Sequence, residues 1–325
     1  MKKYMILGSN SFLGSSMVKF LQYKNHKLFL FSRSHQLPNR FCPYDKKNKN
    51  LKFYKLNFLK NHNELITWIK EIKPDYIINY AAQSMVGESW QNPGDWLRSN
   101  SYLTPLLYYK IALEKLSLKL IHISTPELYG DIKNQKEAST FRPTSPYALS
   151  RVNSDLLLPI LKKEFRLEYK IIRASNIYGE YQRPYRLISS AVVRSKLGLK
   201  FYLEGNGFSR RNFLHAEDLS NATDLIIKKG KYEIYHISSK KIHTIKDLII
   251  KICDTTKVKF QDFVINKKDR IGKDNIYHLN SERVERELKW KAKISIDEGI
   301  NRVCKWADNY KNKFTKKDFT YYHKK

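Results

Sequence analysis

Residues 4–14 of this 325-residue chain read YMILGSNSFLG, a short apolar run followed by a glycine-containing turn. The run has the composition of a buried strand, and the residues after the turn have helical spacing. A tight turn that opens a helix presents backbone N–H groups and the positive end of the helix dipole to a phosphate. A full dinucleotide fingerprint would also carry glycine at the position of Ser11. The turn alone therefore leaves cofactor binding and a plain strand–helix connection as alternatives.

The same alternation of apolar runs and amphipathic stretches continues through the first half of the chain. Strands are predicted over residues 4–7, 27–31, 51–56, 76–81, 118–123 and 169–172. Helices are predicted over residues 15–22, 63–72, 105–116 and 147–163. This βαβ rhythm predicts an α/β fold, a Rossmann-type doubly wound parallel sheet with a smaller C-terminal α/β substrate lobe.

The predicted domain organisation follows from where this rhythm loosens, near residue 178. Residues 1–175 are expected to form the dinucleotide-binding Rossmann domain. Residues 176–310 are expected to form a discontinuous substrate-binding lobe, part of which returns to the Rossmann sheet. Residues 311–325 are rich in lysine and are expected to be a mostly solvated basic tail.

The composition excludes several classes of protein. A net charge of +30 first suggests nucleic acid or an anionic membrane as partner. The excess, however, is mostly lysine scattered along the chain, with clusters at 46–49 and in the tail, which is typical of a solvated surface. No apolar run approaches the roughly 20 residues that span a bilayer. We therefore expect neither a nucleic-acid nor a membrane partner.

The cysteines give no sign of a disulfide framework or a metal site. Cys42, Cys253 and Cys304 are odd in number, far apart and outside any CxxC pattern. Because such cysteines are typical of a reducing compartment, we expect a cytoplasmic protein without a bound metal.

The residues after the second predicted strand leave the cofactor open. An acidic residue that binds the adenosine ribose of NAD is expected there, but the chain reads FSRS over residues 31–34. Arg33 could face the 2′-phosphate of NADP, or it could be a solvated loop cation.

A candidate catalytic group lies at the end of the strand predicted over 118–123, where open α/β sheets place active sites. Thr125 and Glu127 follow that strand, and Tyr147 opens the next helix. Arg151 lies four residues later and shares a helix face with Tyr147. A nearby cation lowers the pKa of a phenol, so Arg151 is expected to make Tyr147 a usable base. Taken alone, the pair also fits a Tyr packed on the sheet with Arg151 in solvent.

The ordered motifs resemble those of extended short-chain dehydrogenases/reductases of the nucleotide-sugar epimerase/dehydratase family, most closely the dTDP-glucose 4,6-dehydratases. STPELYG at 124–130 matches the family's S-T-x-E-x-Y-G, and AAQS at 81–84 matches the loop after the fourth strand. SNIYGEYQ at 175–182 resembles the substrate-phosphate loop, residues 205–213 resemble G-x-G-x-x-x-R-D-W, and ELKW at 287–290 resembles E-L-G-W. The similarity covers nearly the whole chain.

The resemblance implies an NAD cofactor, with NADP as the alternative, a nucleotide-sugar substrate with a dTDP-hexose favoured, and a homodimer formed through two helices per subunit. The implied cofactor-binding residues are Gly8, Asn10, Ser11, Phe12, Leu13, Gly14, Ser32, Arg33, Asn57, Phe58, Ala81, Ala82, Gln83, Asn100, Tyr147 and Arg151. The implied substrate-binding residues are Ser84, Thr125, Asn176, Leu187, Arg211 and Arg270.

The chemistry implied by the resemblance is a 4,6-dehydration with transient oxidation at C4 of the sugar. Tyr147 would take the C4 hydroxyl proton and Glu127 the C5 proton, after which water leaves from C6. The chain departs from the family at Arg151, where Lys is usual, at Pro126, where an acidic Asp is usual, and at Asn57, where an adenine-contacting Asp is usual. A nucleotide-sugar 4-epimerase or decarboxylase, or a non-catalytic NAD(P)- or nucleic-acid-binding protein, therefore remain alternatives.

Overall fold

The computed structural model describes residues 1–268 and 276–323. The strands are β1 (Lys2–Leu7), β2 (His26–Ser32), β3 (Leu51–Lys55), β4 (Tyr76–Asn79), β5 (Lys119–Ser124), β6 (Ile132–Gln135), β7 (Glu168–Ala174), β8 (Asn176–Tyr178), β9 (Phe201–Glu204), β10 (Arg210–His215), β11 (Ile234–Ile237), β12 (Ile242–Thr244), β13 (Val264–Lys267) and β14 (Ile276–Leu279). The helices are α1 (Phe12–Leu21), α2 (His62–Ile72), α3 (Val86–Gln91), α4 (Pro93–Trp96), α5 (Thr104–Leu113), α6 (Pro146–Phe165), α7 (Leu187–Lys196), α8 (Ala216–Lys229), α9 (Ile245–Thr256), α10 (Phe260–Phe263), α11 (Glu282–Leu288) and α12 (Ile296–Asn309). A π-helical segment, Leu97–Leu103, joins α4 to α5.

A seven-stranded sheet forms the centre of the molecule, in the order β3-β2-β1-β4-β5-β7-β11. Every neighbouring pair of strands in it is parallel. The strand order reverses between β1 and β4, and ligands of such sheets bind at that switch point, at the carboxyl ends of the strands. The predicted Rossmann-type α/β fold is confirmed.

Both faces of this sheet are buried, each by its own set of helices. In β1, Tyr4 and Ile6 face a core that includes residues of α1 and α8, whereas Met5 and Leu7 face a second core with residues of α2, α5 and α6. Successive side chains of a strand point to opposite faces, so a strand covered on both sides must be apolar throughout. This explains why the apolar runs of the first half predict its strands.

A second set of strands carries the smaller lobe. Strands β12, β10, β14 and β6 pair in that order, and β8 pairs with β10. Strand β6 comes from the first half of the chain, whereas β11, far along the chain, pairs with β7 in the central sheet. The chain therefore crosses between the two sheets more than once, and the division at residue 175 stays a prediction from the sequence.

The segment after α12 is exposed at most positions but makes specific contacts with the rest of the protein. Asp318 is only 5% exposed, and the Phe314 ring packs against the rings of Phe41 and Trp306, with centroids 6.3 and 5.3 Å away. The expectation of a mostly solvated tail stays a prediction, although Phe314, Phe319 and Tyr321 are partly buried among exposed lysines. Within residues 1–268 and 276–323, no helix has both the length and the apolar character needed to cross a membrane.

Candidate active site

The turn between β1 and α1 allows a very close approach of backbone segments. Gly8 has φ +75°, and a Cβ there would lie 2.7 Å from the backbone nitrogen of Ala81. A Cβ on Gly14 would lie 2.4 Å from the Gly8 carbonyl oxygen. Ser11 occupies the position of the missing glycine and caps the helix, since its Oγ accepts a hydrogen bond from the Gly14 N–H at 3.0 Å. The first-turn N–H groups of Phe12 and Leu13 have no carbonyl partner within the helix, so the turn fits a pyrophosphate.

The turn is tied to the loop that follows β2. The Asn10 side-chain amide donates to the His35 carbonyl oxygen at 2.7 Å and to Ser34 Oγ at 3.1 Å. Ser32 is buried at the end of β2, whereas Arg33 is exposed. The neighbouring strand β3 brings Asn57 and the buried Phe58 to the same edge of the sheet. The predicted adenosine-side residues are therefore grouped along the ends of β1, β2 and β3.

The loop after β4 is held by Asn100, a fully buried residue of the π-helical segment. Its Oδ1 accepts from the Gln83 N–H at 3.1 Å, and its Nδ2 donates to the Gln83 carbonyl oxygen and to Ser150 Oγ, both at 2.9 Å. Ser150 Oγ donates in turn to the Tyr147 carbonyl oxygen at 2.7 Å. Asn100 therefore fixes the loop containing Ala81, Ala82 and Gln83 against the start of α6.

Thr125, Glu127 and Tyr147 come together at the carboxyl end of β5. Helix α6 begins at Pro146 because Ser145 caps it, its Oγ accepting from the Ala148 N–H at 3.1 Å. Tyr147, one residue later, forms a side-chain hydrogen bond with Thr125. Thr125 Oγ1 also accepts from the Glu127 N–H at 3.3 Å. A phenol, a hydroxyl and a carboxylate thus share one end of the cleft.

The protonation of Tyr147 differs from the expectation based on Arg151. Burial raises the pKa of Tyr147, and the charge of Glu127 raises it further. Arg151, the hydrogen bond from Thr125 and Arg186 lower this pKa, but they do not outweigh burial. The side chain is only 8% exposed, so the tyrosinate loses most of its hydration. The prediction that Arg151 lowers the pKa of Tyr147 is correct in direction for that pair and wrong for the net result.

Arg151 is buried rather than solvated, which rules out the alternative of a cation in solvent. Its exposure is 3%, and its guanidinium donates to the Ile123 carbonyl oxygen and lies 3.3 Å from His122 Nε2. Among the described residues, none accepts a hydrogen bond from its buried Nε. This donor, on the helix face of Tyr147, would be satisfied by an acceptor of a bound ligand such as a ribose hydroxyl.

A buried polar network lies behind Arg151, and sequence reasoning missed it. His122 Nδ1 is 2.6 Å from the Tyr108 hydroxyl, to which Asn79 Nδ2 donates at 2.8 Å. On its other side, His122 Nε2 is 3.3 Å from a carboxylate oxygen of Asp155, which also pairs with Arg173 Nε at 2.9 Å. The sequence signal for this network was the presence of His122 in β5 and Arg173 in β7, two largely apolar strands.

The charge state of this network is set by opposing effects. Burial raises the pKa of Asp155, but Arg173 and His122 outweigh burial and lower it to about 2. Burial lowers the pKa of His122, and Arg151 and Arg173 add to that effect. Asp155 is therefore an ionised carboxylate that neutralises one of two buried arginines.

The loop after β4 also bonds an arginine that sequence reasoning missed. Arg186 Nη2 donates to Ser84 Oγ at 2.9 Å and to the Ser84 carbonyl oxygen at 3.3 Å. Arg186 precedes the first residue of α7, Leu187, whose side chain packs against the core. The sequence signal for Arg186 was its position at the end of the stretch YQRPYR, residues 181–186, which overlaps and follows the phosphate-loop motif.

The remaining predicted substrate residues lie on the smaller lobe. Asn176 belongs to β8 and Arg211 to β10, and these two strands pair in parallel. Arg211 is buried and its Nη1 donates to the Arg210 carbonyl oxygen at 2.8 Å. Arg270 lies outside the described residues. Asn176 and Arg211 thus lie on neighbouring strands of the smaller lobe.

Comparisons with known proteins agree with this arrangement. The family model described as GDP-mannose 4,6 dehydratase matches residues 5–303. A dTDP-glucose 4,6-dehydratase of Streptomyces antibioticus is 32% identical over 235 residues, which cover 71% of this chain and 70% of the relative. The dTDP-glucose 4,6-dehydratase DesIV of Streptomyces venezuelae, solved with NAD bound, superimposes with a TM-score of 0.88 at 25% identity, over 96% of this chain and 98% of that one.

A plant relative is longer than this chain. It is the trifunctional UDP-glucose 4,6-dehydratase/UDP-4-keto-6-deoxy-D-glucose 3,5-epimerase/UDP-4-keto-L-rhamnose-reductase of Arabidopsis thaliana, 25% identical over 94% of this chain. The chain spans 47% of that relative's length. Because the family model covers most of the sequence and the fold and motifs agree with it, this chain belongs to the GDP-mannose 4,6 dehydratase family, within the extended short-chain dehydrogenases/reductases.

Proposed function

We propose that this chain is an NAD-dependent nucleotide-sugar 4,6-dehydratase whose substrate is a dTDP-hexose. The observation that carries the proposal is the position of Glu127 at the carboxyl end of β5, where its N–H donates to Thr125 Oγ1 at 3.3 Å and Thr125 in turn bonds Tyr147. C4 oxidation needs only the Thr125–Tyr147 pair. A carboxylate beside that pair is suited to remove the C5 proton, a step that 4-epimerisation does not use. The names of the relatives support the substrate class.

The residues of the cleft divide the reaction between them. Tyr147, once deprotonated, accepts the proton of the C4 hydroxyl, and Thr125 holds that hydroxyl beside it. A bound NAD, which the β1–α1 turn and Arg151 would hold, would supply the acceptor for the C4 hydride and the donor of that hydride to C6, with no net consumption of cofactor. The C4 ketone acidifies the C5–H bond, and Glu127 removes that proton. Elimination of the C6 hydroxyl as water then gives a 4-keto-6-deoxy sugar after a proton returns to C5.

The proton balance explains how the chain works without an acid at position 126. Two protons leave the sugar, from the C4 hydroxyl to Tyr147 and from C5 to Glu127, and two return, one to the departing hydroxyl and one to C5. Pro126 is buried and carries no proton. Glu127 therefore gives the C5 proton to the departing hydroxyl, and the proton held by Tyr147 balances the one that returns to C5.

The cofactor of this proposal is NAD rather than NADP. The β1–α1 turn, the loop at Gln83 and the unpaired Arg151 Nε lie at the carboxyl ends of the central strands, where α/β sheets of this kind bind dinucleotides. Arg33, the candidate for a 2′-phosphate, is exposed after β2, and the choice of NAD is supported by the related DesIV structure, which was solved with NAD. We also place the protein in the cytoplasm, since Cys42, Cys253 and Cys304 are free and buried.

Replacing Glu127 by Gln tests dehydration directly. We expect the wild-type protein with NAD to convert dTDP-glucose into a product lighter by one water, and Glu127→Gln to lower the rate by about 10²-fold or more because the general base is lost. Mass spectrometry of the products from dTDP-, UDP- and GDP-glucose measures both the reaction and the preferred nucleotide. Glu64→Gln, an exposed position on α2, is the matched control and should leave the rate unchanged.

Chromatographic separation of the products before mass spectrometry, with a nucleotide uronic acid added to the substrates, separates the alternatives. An isomer of unchanged mass, formed equally by wild type and Glu127→Gln, would show a 4-epimerase. A product lighter by carbon dioxide from a nucleotide uronic acid would show a decarboxylase. No turnover of any nucleotide sugar would overturn the proposal.

We further propose a homodimer formed through α5 and α6. Helix α6 exposes Leu149, Leu156 and Ile160 along one stripe, at 50%, 47% and 55%. The adjoining α5 and its π-helical extension expose Tyr102, Tyr109 and Leu113 at the same spacing of seven and four residues, at 61%, 41% and 47%. An apolar face made of two adjacent helices suits a second copy related by a twofold axis.

Introducing a charge into this face should separate the subunits. We expect wild type to sediment as a dimer and Leu156→Lys to sediment as a monomer, because each subunit would bury an unpaired ammonium group in the interface. Analytical ultracentrifugation measures the change. Leu199→Lys, at an exposed leucine outside both helices, should remain dimeric. A monomeric wild-type protein at micromolar concentration would contradict the proposal.

A further inference from the structure

The end of the chain crosses from the smaller lobe to the Rossmann half over the cleft. We call residues 315–323 the C-terminal strap. It begins with a capping box in which Thr315 N donates to Asp318 Oδ2 at 2.8 Å. Asp318 also accepts from Arg40 Nη2 at 3.1 Å, so the buried carboxylate anchors this turn to the loop after β2. The guanidinium carbon of Arg194, on α7, lies over the Phe319 ring, 4.7 Å from the centroid of that ring.

The far end of the strap enters the cleft itself. The Tyr321 hydroxyl donates to Gln83 Oε1 at 3.1 Å, and its ring meets that of Tyr185 edge-on, with centroids 5.5 Å apart. Beyond it, His323 Nε2 is 2.7 Å from Asp95 Oδ2, and its ring stacks on Trp96 at 4.9 Å. Gln83 belongs to the loop after β4, and Tyr185 precedes Arg186, so Tyr321 joins the cofactor side of the cleft to the substrate side.

The surroundings of Tyr321 show which part of the cleft it covers. Burial raises the pKa of its phenol, and among the charges that reach it are Arg33, at the end of β2, and Arg186, which binds Ser84. The charges of Arg33 and Arg186 both favour the ionised phenol, and the contacts with Gln83 and Tyr185 place Tyr321 at the loop after β4. A dinucleotide that extends from the β1–α1 turn to Tyr147 must pass beneath this position, since Gln83 lies between those two points along the carboxyl edge of the sheet.

We propose that the C-terminal strap retains the dinucleotide in its cleft, with Tyr321 as a positioning residue that acts through Gln83. The inference rests on the proposed function, in which the hydride is returned within each catalytic cycle and the cofactor has no need to leave. A segment that closes over the dinucleotide therefore does not slow turnover, and it keeps the cofactor bound to the protein. Release of the cofactor requires the Tyr321–Gln83 and His323–Asp95 contacts to open.

The test measures release of the cofactor, with no sugar present. Full-length protein is loaded with NADH, and the rate of NADH dissociation is followed by fluorescence after a chase with excess NAD. Ending the chain after Phe314 removes the strap but keeps the Phe314 contacts with Phe41 and Trp306, and it should raise the dissociation rate by at least ten-fold. Tyr321→Phe, which removes only the hydroxyl bonded to Gln83, should raise it by several-fold.

The neighbouring residue offers a matched control. Tyr322 is 59% exposed, so Tyr322→Phe makes the same chemical change beside the cleft and should leave the dissociation rate unchanged. An unchanged NADH dissociation rate for both the shortened chain and Tyr321→Phe would overturn the proposal about the strap and leave the proposed function standing. Failure of the wild-type protein to bind NADH at all would overturn the proposed function and the strap together.

Discussion

Tyr147→Phe should lower the formation of the 4-keto sugar by about 10³-fold, the middle of the range for loss of a general acid–base group. Tyr147 hydrogen-bonds Thr125, and Arg151 and Arg186 both favour its ionised form. Phe fills the same volume beside Ser145 and Ala148 but cannot accept the C4 proton. The initial rate with saturating NAD and dTDP-glucose, measured by mass spectrometry, gives the size of the loss.

The pH profile distinguishes a catalytic loss from a structural one. Because burial raises the pKa of Tyr147, little tyrosinate exists near neutrality, and the wild-type kcat/KM should rise as the pH increases toward that pKa. The residual rate of Tyr147→Phe should lack this rise. Tyr54→Phe, on β3 away from Thr125 and Glu127, should keep both the rate and the profile. Near-normal turnover by Tyr147→Phe would assign the base to another group.

The turn at residues 8–14 shows both the reach and the limit of sequence reasoning. The apolar run, Gly8 and Gly14 predict a strand, a tight turn and a helix, and these are what the chain forms. Ser11 weakens the match to the glycine fingerprint, yet it serves as the helix N-cap and moves the start of α1 to Phe12. A cap depends on local hydrogen bonding, which a glycine pattern does not encode.

The smaller lobe was harder to predict than the central sheet. Strands β6, β8, β12 and β13 have three or four residues, and their partners lie far away in the chain. Such strands have too few residues to develop a period of two. Their pairing is decided by tertiary contacts, whereas the central strands carry apolar residues on both faces and are evident from the sequence.

The sequence also does not predict which groups a side chain contacts. Spacing places Arg151 on the helix face of Tyr147, but it does not reveal that the guanidinium reaches the Ile123 carbonyl oxygen and His122. The contact of Tyr321 with Gln83 joins positions 238 residues apart. The lysine-rich composition of the tail likewise gives no sign that Tyr321 contacts the loop after β4.

Asp155→Asn should cost about 3–5 kcal/mol of the free energy of unfolding, the expected effect of breaking a buried ion pair from one side. The Asp155 and Arg173 side chains are at most 1% exposed, and Arg173 Nε is 2.9 Å from Asp155 Oδ2. Without the carboxylate, the Arg173 and Arg151 guanidinium groups would be buried beside His122 with no counter-charge. Urea unfolding followed by circular dichroism should show the midpoint shift. Asp308→Asn, which breaks an exposed pair with Lys196, should change stability by no more than about 1 kcal/mol.

Low pH should remove the difference in unfolding free energy between wild type and Asp155→Asn. The pKa of Asp155 is lowered from 3.8 to about 2 in the folded protein, so folding favours the ionised form. Its stabilising contribution is therefore complete above the unfolded-state pKa near 3.8 and is lost as the pH falls through the folded-state pKa near 2. The gap in unfolding free energy should stay constant from pH 7 to about pH 5 and narrow below it. A gap that persists unchanged in acid would mean that the substitution destabilises the protein through packing, and that the buried carboxylate is not what balances Arg151 and Arg173 beneath Tyr147.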